Sequence, residues 1–187
     1  MANVRPYEDR DKNDVRRICI ETSGLPTEEE KDRKFLFYMY NDYYIEFEPE
    51  SCFVLTDDND VAQGYVICAK NFVSYAENME KFYLPRIFQL GHKYNFMARY
   101  EMFLHGIYKN KYPAHLHIDI SPNFQGKGGG TALVTALKEH LREHGVKGIM
   151  LSAGEGNKNA IAFYKKNGFK TVNSIFGSRL MAFEINT

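Results

Sequence analysis

The sequence predicts a mixed α/β fold in which a largely antiparallel sheet carries helices on both faces. Three observations point there. Strand-like and helix-like stretches alternate along the chain, polar turns mark a hairpin near each end, and a strand, a glycine-rich turn and an amphipathic helix follow one another over residues 116–141. Alternating elements need a sheet covered by helices, and hairpins make neighbouring strands antiparallel. A chain of 187 residues can bury one substantial core, so residues 1–187 are expected to form a single domain.

The elements follow in order. Residues 4–7 suit a short first strand. Residues 11–14 offer several N-caps, and Val15, Ile18, Cys19 and Thr22 mark one face of the helix they open. Gly24-Leu25-Pro26 breaks it. Thr27 and Glu30 have the spacing of a capping box for a second helix, which runs through Phe35, Leu36, Met39 and Tyr40 toward Tyr43 or Tyr44. Its aromatic stripe reads as core packing. Residues 52–56 and 61–69 form two strands around Asp57-Asp58-Asn59-Asp60, a solvated turn. A calcium loop would need the twelve-residue ligand pattern with its terminal Glu.

Residues 71–112 form a long, aromatic-rich connection, with helical spacing over 76–90 and again over 96–107. Long connections inside a domain are functional or disordered, and this aromatic content argues against disorder. Further on, residues 146–151 suit a buried strand, 154–157 turn into a helix, and 169–175 with 180–185 make a last hairpin across Phe176-Gly177-Ser178.

The centre of the chain carries the chemistry. Leu116, Ile118 and Ile120 alternate with His117 and Asp119, the period of a strand. Ser121-Pro122-Asn123 ends it. Gly126, Gly128, Gly129 and Gly130 follow, and then Leu133, Val134, Leu137 and Leu141 recur at helical spacing. Glycines let the backbone turn sharply and approach a ligand. The first amides of a helix lack partners within it, and the helix dipole is positive there. Residues 125–131 are therefore expected to hold a phosphate or pyrophosphate. The spacing fits neither a Walker loop nor a dinucleotide fingerprint, where Thr131 would stand at the last glycine position.

Gln125-x-x-Gly128-x-Gly130 resembles the acyl-CoA loop of the GNAT superfamily of N-acetyltransferases, and Ile120-Ser121-Pro122 resembles the Val-x-Pro that ends the family's fourth strand. Asn157, Ala160, Tyr164 and Gly168-Phe169 resemble its Asn-x-x-Ala-x-x-x-Tyr-x-x-x-Gly-Phe. Two motifs in the right order are far more specific than one. The match covers about a third of the chain closely and its flanks loosely. Within the superfamily, residues 117–128, with Val146-Lys147-Gly148 and residues 160–164, look most like the acetyltransferase-like domain of O-GlcNAcases and its stand-alone bacterial relatives.

The resemblance implies a GNAT fold with a splay between strands 4 and 5, and makes residues 71–112 a helical insertion between strands 3 and 4. That insertion is expected to cap the acceptor side or to form the interface of a homodimer, and the two roles are compatible. It implies acetyl-CoA as co-substrate, held by Gln125, Gly126, Lys127, Gly128, Gly129, Gly130 and Thr131, by backbone groups of Ile118 and Ile120, and by Asn157, Ala160 and Phe163. Asn157 matches the residue that contacts the coenzyme arm, and Asn159 is the expected helix cap. Lys127 also reads simply as a solvated lysine. Tyr164 matches the family's general acid, which protonates the departing sulfur.

The general base is open. Counting back from Gln125 puts Ala114 where many members carry a glutamate. His115, His117 and Asp119 stand nearby, and His117 or Asp119, acting directly or through water, is expected to take the proton. The implied reaction is acetyl transfer to a primary amine of a small molecule, or of a protein, in a ternary complex. The alternative is an inactive acyl-CoA-binding sensor, which the missing glutamate at 114 favours and the intact Tyr164 does not.

Composition narrows the partners. Lys+Arg and Asp+Glu are both 24, so neither a nucleic-acid nor a membrane surface is expected. The first residues do not read as a signal peptide, and no run is long and apolar enough to span a bilayer. Cys19, Cys52 and Cys68 sit in apolar runs without zinc spacing, which suits free thiols in a cytoplasmic protein. No metal is expected.

Overall fold

The structure, a computed structural model, describes residues 3–185; the ends of the expected 1–187 span lie outside the described residues. Seven strands form one sheet: β1 (Asn3–Pro6), β2 (Cys52–Thr56), β3 (Ala62–Ala69), β4 (Ala114–Ile120), β5 (Gly148–Gly154), β6 (Lys170–Ile175) and β7 (Ser178–Glu184). Their spatial order is β1-β2-β3-β4-β5-β7-β6. Every neighbouring pair is antiparallel except β4 with β5.

That parallel pair is in register only at Ala114–Ile149 and His115–Met150. Each strand then stays with its other neighbour. β4 pairs with β3 as far as Ile120–Gly64, and β5 pairs with β7 as far as Gly154–Ser178. A wedge therefore opens in the sheet between residues 116–120 and 151–154, the expected splay. β5 begins two residues later and ends three later than the sequence predicted, because β7 carries its pairing on to Gly154.

Strand alternation sends side chains to both faces of the sheet. On one face Tyr65 and Ile67 of β3 pack with Ile18, Phe35 and Met39, from α1 (Lys12–Thr22) and α2 (Glu30–Tyr40). On the other, Val66, Cys68 and Leu116 pack with Leu133, Val134 and Leu137 of α7 (Gly129–Glu143) and with Ile161 of α8 (Lys158–Lys166). Burying one such side chain contributes about 1.5–3 kcal/mol.

The start of α2 corrects the capping-box expectation. Thr27 makes no side-chain cap; the helix starts after Glu29, and Arg33 instead folds back to donate to the carbonyls of Thr27 and Glu28 at 2.7 and 2.8 Å. Nor does α2 run on to Tyr44. The backbone leaves helical geometry at the buried Asn41, and a separate helix α3 (Asp42–Phe47) follows.

The connection from β3 to β4 is helical, as its periodicity predicted. It comprises α4 (Phe72–Asn78), a wider π turn over Met79–Tyr83, α5 (Leu84–Leu90) and α6 (His92–Gly106). Asn71 caps α4 by accepting from the Val73 amide at 2.8 Å. Gly91, with φ of +134°, makes the corner between α5 and α6. The Tyr94 hydroxyl donates to Asp32, tying α6 to α2.

Candidate active site

The glycine turn is built by two different uses of glycine. Gly126 and Gly128 have φ of +75° and +88°, with open space where a Cβ would lie, so they are needed for the turn itself. Gly129 and Gly130 are needed for approach. A Cβ at 129 would collide with Leu55, and one at 130 would lie 2.9 Å from the Phe163 ring. The start of α7 therefore sits low, against β2 and α8. Its first internal bond runs from the Ala132 amide to the Gly128 carbonyl at 3.1 Å, which leaves the amides of Gly129, Gly130 and Thr131 without partners inside the helix.

The strand leading into the turn is oriented by its neighbour. The Ser121 amide donates to the Gln63 carbonyl near the start of β3 at 2.8 Å. Backbone groups alternate sides along a strand, so those of Ile118 and Ile120 face the wedge. Gln125 Nε2 donates to the Ile120 carbonyl at 2.8 Å and closes the turn.

A cleft of about 780 Å³ occupies the wedge. It brings together Ile118, Asp119, Ile120, Gln125, Gly126, Gly128, Gly130, Thr131, Asn157, Asn159, Ala160, Phe163 and Tyr164. Three of the expected residues are not in its wall. Gly129 turns toward Leu55, Lys127 Nζ donates to the Asn123 carbonyl at 2.8 Å, and His117 lines a neighbouring chamber. Asn157 has the capping role that Asn159 was offered: its Oδ1 accepts from the Ala160 amide at 3.0 Å.

Tyr164 is buried at the cleft wall. Burial, and then the charge of Asp119, hold its hydroxyl well above the usual phenol range, so it stays protonated at neutral pH. Asp119 accepts from the Tyr65 hydroxyl at 2.6 Å. Burial pushes its carboxyl up to about 6, against the pull of hydrogen bonds from Tyr65 and Thr22.

The three histidine and acid positions of β4 face the α1–α6 side, with different surroundings. His115 is in the core, its Nε2 at 3.0 Å from the Tyr44 hydroxyl and its ring stacked on His105 at 4.5 Å. His117 meets the edges of Tyr40 and Tyr44 at 5.2 and 5.3 Å. Burial, and then His105, push His117 down to about 3, so it is neutral. Its Nε2 is shut off from solvent without a partner. Ala114 is fully buried on the opposite face, under α7. A glutamate there would point into that core, so its absence carries no weight against activity.

A chamber of about 310 Å³ adjoins the cleft and shares Thr22 and Asp119 with it. Cys19, Tyr40, Met97, Glu101 and His117 also line it. Glu101 comes from the insertion helix α6, where Ser152 of β5 donates to its Oε2 at 3.3 Å. Burial raises its carboxyl above the usual range. The sequence reading passed over Glu101. Its signal is an acid in the buried stripe of α6, at helical spacing from Tyr94, Ala98 and His105. Among the described residues, no group of three His, Cys, Asp or Glu side chains is arranged to hold a metal ion.

A splayed parallel pair, with a glycine turn and a helix start at its mouth, is the arrangement of an acetyltransferase fold. Residues 17–169 match the Acetyltransferase (GNAT) family, and the chain belongs to it. The structure is similar to that of SsHAT, with 26% identity, a TM-score of 0.88, and coverage of 100% of this chain and 99% of that one. The PaiA N-acetyltransferase of Thermoplasma acidophilum, solved in complex with coenzyme A, shares the fold at 13% identity and a TM-score of 0.64, over 98% and 99% of the two chains. In sequence, 58 residues are 41% identical to an uncharacterized N-acetyltransferase of Methanocaldococcus jannaschii. That match spans 30% of this chain and 26% of the relative.

Proposed function

We propose that this protein transfers the acetyl group of acetyl-CoA to the primary amine of a small-molecule acceptor, by direct attack in a ternary complex. The observation that carries this reading is the wedge itself: one continuous cleft joins the free amides at the start of α7, the open edge of β4, Tyr164 and Asp119. The cleft suits coenzyme A. Partnerless amides at a helix start fit a diphosphate, and the open space beside Gly126 and Gly128 admits it. The edge of β4, unpaired beyond His115, offers the groups of Ile118 and Ile120 to an amide-bearing arm.

Bound acetyl-CoA supplies an activated acyl carbon. The chain's own residues manage protons and charge. An amine is protonated in water, so it must lose a proton before attack. Asp119 takes that proton, since its carboxyl is ionised at neutral pH and, near 6, is better matched to the task than neutral His117 near 3. A backbone N–H at the splayed edge of β4 holds the carbonyl oxygen as it gains charge. Tyr164 then donates its proton to the departing sulfur, leaving N-acetylated amine and free thiol. Asp119 and Tyr164 line the same cleft, which supports this division of labour.

The reading is tested by calorimetric titration with CoA alongside thiol release from acetyl-CoA over an amine panel. Saturable CoA binding with amine-dependent release of thiol is expected. Binding without turnover on any amine would instead indicate a sensor, and no binding would remove the reading altogether.

A further inference from the structure

The chamber beside the thioester site has an unusual electrostatic content. Two carboxylates, Glu101 and Asp119, line it, and no lysine or arginine does among the described residues. Neither carboxylate is held by a cation: Glu101 has the Ser152 hydroxyl and Asp119 has the Tyr65 hydroxyl. The histidine in the wall does not supply the missing charge, because His117 is neutral at physiological pH. Its Nε2 is buried and has no hydrogen-bond partner, and a neutral imidazole nitrogen accepts or donates according to the tautomer. Buried charge without a counter-charge is costly, and a buried nitrogen without a partner costs further. Leu25, Leu36 and Met97 add apolar surface to the wall, beside the hydroxyl-bearing Thr22, Ser23 and Tyr40.

A group that satisfies all of this carries positive charge, several N–H donors and a short aliphatic body. We propose that the chamber selects a small aliphatic ammonium compound without a carboxylate of its own, and that Glu101 on the insertion helix is the residue that selects it. The inference rests on the acetyl-transfer reading only in making this compound the acceptor; the recognition itself belongs to the chamber. Glu101 fixes the ammonium from the α6 side, Asp119 faces it from β4, and His117 completes the wall as a neutral ring. An amino acid or other zwitterion would bring a carboxylate of its own beside Glu101 and Asp119 and is rejected. The insertion thus sets acceptor choice, while the strand and turn common to the fold handle the coenzyme.

The test is direct binding to the full-length protein, without acetyl-CoA, so that it does not depend on turnover. Calorimetry with n-butylamine and 1,4-diaminobutane should give saturable binding, and butyrate should give none. The zwitterion 4-aminobutyrate should bind about tenfold more weakly or worse. Glu101→Gln keeps the shape and the Ser152 contact but removes the charge; it should weaken the amines about tenfold or more, while Glu101→Asp restores part of that loss and CoA affinity is unchanged in both. Equal amine binding by wild type and Glu101→Gln, or preference for 4-aminobutyrate over butylamine, overturns the proposal. So does absence of amine binding in wild type. Amine binding that follows Glu101, in a protein that does not bind CoA, would uphold the chamber and remove the transferase reading instead.

Discussion

Tyr65 and Asp119 stand opposite each other on β3 and β4, and the Tyr65 hydroxyl donates to Asp119 Oδ2 at 2.6 Å. Tyr65 is fully buried, so the donor has no competing solvent. A hydrogen bond to the ionised carboxylate favours that form and opposes the effect of burial. Tyr65→Phe should therefore raise the Asp119 pKa, by about one unit if the bond contributes a typical charge-assisted amount. The acid limb of the kcat/KM–pH profile should move up accordingly, and an unmoved limb would mean that another group takes the proton.

Asp119→Asn removes the proposed base and should lower kcat by about a hundredfold or more. It also tests the burial of the charge. The folded carboxyl titrates near 6, above its ordinary value of 3.8, so the native state binds a proton that the unfolded state has released between about pH 4 and 6. The contribution of Asp119 to stability is thus full below pH 4 and is lost as pH rises through 6. The Asn variant lacks this term. Its melting temperature relative to wild type should rise with pH over that window and level off above it, as scanning calorimetry across pH 4–8 would reveal.

Tyr164→Phe removes one oxygen from a buried wall. Turnover should fall by about a hundredfold, with CoA affinity by calorimetry within about twofold of wild type, because the diphosphate is held elsewhere. Turnover equal to wild type would dismiss Tyr164 as the acid.

Gly128 has φ of +88° and nothing within 4 Å of an added Cβ. Gly128→Ala should cost about 1–2 kcal/mol of stability through backbone strain alone. Gly128→Glu adds a negative charge at the mouth of the cleft and should abolish CoA binding while the protein remains folded by circular dichroism. Retained affinity would mean that the phosphates do not lie at this turn.

Much of this arrangement was legible because its signals are local. The two-residue period of 116–120 put His115, His117 and Asp119 on one face, and the glycine turn and the spacing of Leu133, Val134, Leu137 and Leu141 fixed the strand–turn–helix unit. What escaped depended on distant partners. Whether Thr27 caps α2 was decided by Arg33 taking the loop carbonyls, and the break at Asn41 by the packing of α3 under the sheet. The significance of Ala114 was misjudged because counting along a motif does not reveal which face of the sheet a residue occupies. Glu101 was invisible for the opposite reason: its helix pattern is ordinary, and only the fold brings it beside Asp119, eighteen positions later in sequence.

The short contact between β4 and β5 has a mechanical side. Among the described residues, two residue pairs are the backbone seam between a four-stranded half and a three-stranded half. An amide-bearing guest lying along Ile118 and Ile120 would act as a temporary stitch across that seam. Loading the coenzyme should then slow amide exchange on the strands flanking the gap, so that the protein is stiffest when it is about to react and loosest when it is empty.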